Sequence, residues 1–218
     1  MNRIVFSILL GLAAINISRA DFVQLPGHFG GFTCDPTIRV AENFEFAQSS
    51  TISSLTWWGG YYNPPPGLDS FTVQLYADTG GQPGGLLSGF NIGAINKMAT
   101  GDFVNPGLYP EYKYSADLQT PFVAQAGTTY WLSITYSATQ VWLWEDSTRT
   151  DINSGVQRSF NGGAWQPYYD RTALQLVVVP EPSSALLLAG ALVMLLVKRH
   201  RAAALHNLAE SVAPPKAH

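Results

Sequence analysis

Three stretches of the chain alternate apolar and polar side chains with a period of two. Ile38, Val40, Phe44 and Phe46 alternate with Arg39, Ala41, Asn43 and Glu45. Phe71, Val73, Leu75 and Ala77 alternate with Thr72, Gln74 and Tyr76, and Tyr130, Leu132, Ile134 and Tyr136 with Trp131, Ser133 and Thr135. This period places one row of side chains inward and the other outward, so each stretch predicts a half-buried strand. Further strands are predicted over 53–58, 90–99, 111–118, 141–145, 156–160 and 172–179. Turn residues punctuate them: Gly59-Gly60, Pro64-Pro65-Pro66-Gly67, the glycine-rich run 80–85, and Asn161-Gly162-Gly163. Asn-Gly between apolar runs is a hairpin signal, because both residues accept positive φ. Eight or nine short strands with such turns predict an all-β fold, a two-sheet antiparallel sandwich of jelly-roll type. The roughly 150 residues involved are enough to bury a full core. No stable helix is expected between the two ends.

The ends have a different pattern. Arg3 precedes an apolar run over residues 4–15, and Ser18-Arg19-Ala20 places small residues at the −3 and −1 positions. This predicts a secretory signal peptide over 1–20, a signal helix cut after Ala20. Near the other end, Pro180-Glu181-Pro182-Ser183-Ser184 leads into thirteen residues, 185–197, that carry no polar side chain. Lys198, Arg199 and Arg201 follow. Residues 183–197 would make a transmembrane helix of roughly 22 Å, short against a bilayer core of about 30 Å. Snorkelling of the flanking basic side chains and local thinning accommodate the difference. The basic cluster should stay in the cytoplasm and leave the preceding domain outside.

The order of these parts is specific. Val179-Pro180-Glu181-Pro182-Ser183-Ser184, then a short apolar span, then a Lys/Arg cluster, resembles the PEP-CTERM sorting signal of exported Gram-negative bacterial proteins. The resemblance implies that an exosortase, a membrane-embedded cysteine transpeptidase, recognises Pro180-Glu181-Pro182, cleaves and transfers the chain. The sequence departs from that pattern in continuing for 17 residues past Arg201, as a tail over 202–218. More loosely, the stretches 55–61, 71–85 and 129–134 resemble ectodomains that such proteins carry. Those domains are similar to carbohydrate-binding β-sandwiches.

Composition sharpens the picture of the exported part, residues 21–179. It holds 13 acidic and six basic residues, although the whole chain is formally only −3. Nucleic acid is therefore not an expected partner. The one cysteine excludes a disulfide framework and a cysteine-rich zinc module.

Catalytic chemistry has little support in the sequence. His28 is the one histidine between the two ends, and no Gly-x-Ser-x-Gly elbow accompanies it. A surface His28 and a buried, inert Cys34 are the expectation. Glu145 and Asp146 are adjacent, so on a regular strand they face opposite sides and cannot flank one glycosidic bond. Glu42 shares the apolar parity of Val40 and Phe44, which fits a buried, paired or strand-end carboxylate. Asp151, Asn153 and Gly155 resemble the start of a calcium loop without its later ligands, and Asp69 and Asp78 bracket a strand. No catalytic, metal or cofactor residue is assigned, although structural calcium is compatible with these acids. Among six tryptophans, Trp57 shares the face of Leu55 and is placed in the core, and Trp142 and Trp144 share one face. Trp58, Tyr76 and Trp131 fall on outward parity, and are the expected platform for stacking on sugar rings.

The sequence thus points to an exported, non-enzymatic protein of the cell envelope or extracellular polysaccharide matrix. The secretion translocon and the exosortase are its expected partners, and the inner membrane holds its precursor. A surface-tethered carbohydrate-binding module is the alternative reading, and a secreted hydrolase is less favoured.

Overall fold

The computed structural model describes residues 21–63, 69–138, 140–148, 156–168, 170–180 and 198–199. Thirteen strands run through them: β1 (Phe22–Gln24), β2 (Pro26–Thr33), β3 (Ile38–Phe44), β4 (Ser50–Tyr61), β5 (Asp69–Asp78), β6 (Pro83–Ile95), β7 (Met98–Phe103), β8 (Pro110–Ala124), β9 (Tyr130–Tyr136), β10 (Trp142–Ser147), β11 (Val156–Phe160), β12 (Gln166–Tyr168) and β13 (Leu174–Pro180). The signal segment 1–20 with Ala20, the span 183–197, Glu181, Pro182, Arg201 and the tail 202–218 lie outside the described residues. Among the described residues no helix is long and apolar enough to cross a membrane.

The strands form two antiparallel sheets, one of seven strands and one of six, packed as a sandwich. β4 is the spine of the first. One of its edges pairs with β8 from Ser50↔Ala124 to Gly60↔Glu111, and β8 carries β7 beyond it. The other edge is shared, with β13 beside residues 50–57 and β10 beside 59–61. β1 lies outside β13, and β2 lies outside β10. The second sheet has the order β12-β11-β3-β9-β5-β6.

The three alternating stretches of the sequence are β3, β9 and β5, side by side in that second sheet. Their apolar rows, with Val40, Phe44, Phe71, Val73, Leu75, Leu132 and Ile134, are buried against the first sheet. The facing row is aromatic. Trp57 stacks on Tyr114 with ring centroids 5.5 Å apart, and Phe71 meets Trp57 at 5.2 Å and Trp142 at 5.0 Å, both edge to face. Such pairs contribute about 0.5–1.5 kcal/mol each beyond the area they bury. Trp57 lies in the core as its parity predicts, and Trp142 and Trp144 join it there.

Four strands were not among those expected, and β6 starts at Pro83, inside the glycine-rich run 80–85 read as a turn, and ends at Ile95 rather than at 99. β1 and β2 are strands although Pro26, Gly27, Gly30 and Gly31 break any alternation, and β12 is short and contains Pro167. β7 starts at the end of the strand predicted over 90–99 and runs into the gap before the one predicted over 111–118. Gly59-Gly60 is not a turn either, because β4 runs through both to Tyr61. The Asn161-Gly162 signal does mark the β11–β12 hairpin, with φ of 48° and 72° at the two residues.

Candidate functional site

Strand parity leads from the sheet to the site. On β8, Tyr112 and Tyr114 face the core, so Glu111 and Lys113 face outward. On β10, Trp142 and Trp144 face the core, so Leu143 and Glu145 face outward. Outward carboxylates normally meet water, yet Glu111 is 2 % exposed and Glu145 is fully buried. The outer face is covered at this point. Val104, itself buried, lies against Gly31 and Gly60, whose missing side chains leave it room.

A bulge completes the enclosure. Glu145 is opposite Gly31 and Ser147 is opposite Pro26, so β2 places four residues against the single Asp146 of β10. Bulges of this kind re-aim side chains. His28 sits in it at φ 59°, a left-handed conformation that histidine tolerates better than most residues. Its N–H donates to Glu145 Oε1 at 3.3 Å, and the N–H of Phe29 donates to Asp146 Oδ1 at 3.2 Å. The adjacent carboxylates, expected on opposite faces, therefore both turn to one segment of β2.

The His28 side chain is 43 % exposed, but its Nδ1 is buried. That atom lies 3.0 Å from Glu145 Oε1 and 3.2 Å from Glu111 Oε2. Neither contact has hydrogen-bond geometry. Glu111 Oε2 and Glu145 Oε2 receive no hydrogen bond among the described residues. Burial, and then the neighbouring Glu111 carboxyl, push the Glu145 carboxyl up to about 10. Burial raises Asp146 to about 6 against the pull of the Phe29 N–H. The expected surface histidine is thus one corner of a three-residue cluster whose donor atoms all lie within 4.8 Å of one another.

The other sequence-derived candidates are placed as follows. The glycan platform is corrected: Trp58, Tyr76 and Trp131 are 7 %, 6 % and 1 % exposed, too little for a sugar ring to stack on. Trp58 lies under the Lys113 ammonium, 5.4 Å from the ring centroid. Trp131 and Tyr76 form a small cluster with Ala41 on the outer face of the second sheet, and Trp165 packs over it. Trp131 Nε1 donates to Asp78 at 2.7 Å, and Arg39 sits over Trp165. Parity correctly put these rings on the outer face, but the segment ahead of β12 folds over two of them. Asp78 and Asp69 do not combine as ligands. Asp69 is buried beside Lys97 Nζ at 3.4 Å and accepts from Tyr136. The stretch 151–155 lies outside the described residues. Cys34 is fully buried in the core.

Glu42 is buried and paired, as its parity predicts. Arg171 donates to it, and so do the N–H and Oγ1 of Thr172 and, at 3.3 Å, Gln24. Burial outweighs these partners and holds the Glu42 carboxyl at about 7, above its ordinary 4.5. The folded state therefore keeps this proton longer than the unfolded chain. Its contribution to stability is full below about pH 4.5 and is lost as the pH rises through about 7. Thermal melts should show the wild-type chain losing stability between pH 5 and pH 8, and Glu42→Gln should flatten that slope.

A family model described as "Domain of unknown function (DUF7901)" matches residues 97–186. The match spans β7 to β13 and takes in Glu111 and Glu145, but not His28. No curated protein matches the chain.

Proposed function

We propose that this chain is an exported, non-enzymatic protein of the cell envelope or extracellular matrix, processed by an exosortase-type transpeptidase at a PEP-CTERM signal. The observation that carries the reading is the order of parts at the C-terminal end: Pro180-Glu181-Pro182, an apolar run to Val197, then Lys198, Arg199 and Arg201. Two structural facts support it. β13 runs to Pro180, so the recognition motif starts where the last strand ends. Lys198 and Arg199 are exposed, as a membrane-flanking cluster requires. The sandwich is of jelly-roll type, a reading supported by interleaved neighbours such as β3-β9-β5 in the second sheet. The signal segment hands the chain to the secretion translocon, the span holds the precursor in the inner membrane, and cleavage releases the domain among matrix polysaccharides.

Replacing Pro180-Glu181-Pro182 by three alanines tests the recognition step in a host that carries such a transpeptidase. The wild-type protein should leave the membrane fraction, and the variant should accumulate there. Equal distribution of the two would count against the reading.

A further inference from the structure

Two buried carboxylates that face each other without a cation are costly, since desolvation and mutual repulsion act in the same direction. Among the described residues no lysine or arginine pairs with Glu111 or Glu145. The group that does approach both is the His28 imidazole, through an Nδ1 that forms a hydrogen bond to neither. The nitrogen and the carboxylate oxygens are thus gathered closely without a hydrogen bond joining them. A tetrahedral cation with ligands at about 2.0–2.1 Å holds its donor atoms about 3.3 Å apart. The two nitrogen–oxygen separations, 3.0 and 3.2 Å, are within a few tenths of an ångström of that value, and the donor atoms of all three residues lie within 4.8 Å of one another.

We propose that His28 Nδ1, Glu111 and Glu145 bind one divalent first-row transition cation of the Zn2+ type, which ties the edge strand β2 to β8 and β10. The donor set chooses the metal. Calcium takes six to eight oxygens at about 2.3–2.6 Å, and magnesium a near-octahedral oxygen shell. One imidazole with two carboxylates suits zinc and its neighbours instead. Two carboxylates and a neutral imidazole also cancel the cation's charge, which a buried site requires. The half-exposed ring of His28 gives the ion a route in from solvent and leaves water to complete the coordination shell. The bound ion braces an edge: β2 is the outermost strand on its side of the sheet, and at the bulge the His28 and Phe29 N–H groups bond to side-chain carboxylates. This site is independent of the sorting signal and adds to it.

The test uses the full chain in mild detergent, stripped with chelator and titrated calorimetrically with Zn2+. One Zn2+ per chain should bind and raise the melting temperature. His28→Gly removes the imidazole while suiting the positive φ, so it should fold and lose at least about tenfold in affinity; even outer-shell changes cost metal sites 10–100-fold. Glu145→Gln should lose as much. His200, His206 and His218 are competing ligands in the tail, so a chain with all three replaced by alanine serves as the control and should bind as the wild type does. Unchanged affinity in His28→Gly, or loss of binding in the tail variant, would overturn the site. A Co2+-loaded tail variant gives a reading that does not depend on the other variants folding. It should show the visible bands of a four- or five-coordinate centre, and the pale spectrum of an octahedral, water-rich ion would overturn the proposal.

Discussion

Arg171→Met should lower the stability of the folded domain by about 3–5 kcal/mol, the usual cost of removing one partner from a buried ion pair. At this chain length that is a fall in melting temperature on the order of 10 °C. The physical reason is Glu42, which has no exposure and takes its charge-assisted hydrogen bond from Arg171 Nη1. Arg171 also donates to Asn43, so the pair fastens β3 to the segment just ahead of β13, across the two sheets. The loss should be smaller at pH 5 than at pH 8. A protonated Glu42 needs no cation, and without Arg171 its carboxyl rises further above the value of about 7 that it has in the wild type. Adding Glu42→Leu should recover part of the loss, because a buried pair replaced by apolar groups is often near neutral. A double-mutant cycle by thermal melts at both pH values measures each of these outcomes. A loss that is equal at pH 5 and pH 8 would mean that Glu42 is not the group left stranded.

Gly59→Ala should cost about 3 kcal/mol, the upper end of what overpacking usually does. The added methyl would run into the carbonyl oxygen of Leu143 and the indole of Trp142. Neither can yield cheaply. The carbonyl belongs to β10, paired to β4 at this point, and the indole is wedged between Phe71 and Tyr114. Gly89→Ala on β6 is the control, since nothing lies within 4 Å of its added Cβ and its φ is ordinary. That change should be neutral or stabilise by a few tenths of a kcal/mol, by restricting the unfolded chain. If both substitutions cost the same, the close approach of β10 to β4 is wrong.

These two sites show what the sequence reveals and what it withholds. Alternation located β3, β5 and β9, because half-buried strands leave a period of two that survives in a single segment. It failed for β2, where glycines occupy the positions that Val104 and a bulge need. Gly59-Gly60 reads locally as a break. In the sandwich it is the opposite, a stretch of the spine strand kept bare so that Trp142 and Val104 can lie against it. Parity also placed Trp58, Tyr76 and Trp131 on outer faces, correctly, but an outer face is not an exposed one. Lys113 covers the first ring and Trp165 covers the cluster of the other two.

The His28–Glu111–Glu145 cluster was the least legible part. Its members lie on β2, β8 and β10 and share no spacing that a metal motif would have. His28 was visible as the lone histidine of the exported part, and Glu145 as one of an acidic pair. Only the registers of β4 with β8 and with β10, and of β10 with β2, bring them together. A signal did exist in hindsight: Glu111 and Glu145 both follow from the outward parity of strands whose other rows are aromatic. The sorting motif is legible for the contrary reason. Its recognition depends on linear order alone, with no fold required.

Export and processing are tested most directly by intact mass combined with fractionation of the protein from its native host. A mature species is expected that begins at Asp21, lacks the segment after Pro180-Glu181-Pro182 and is found outside the membrane. A full-length, membrane-bound species that retains His218 would contradict this reading, and would make the apolar segment a permanent anchor.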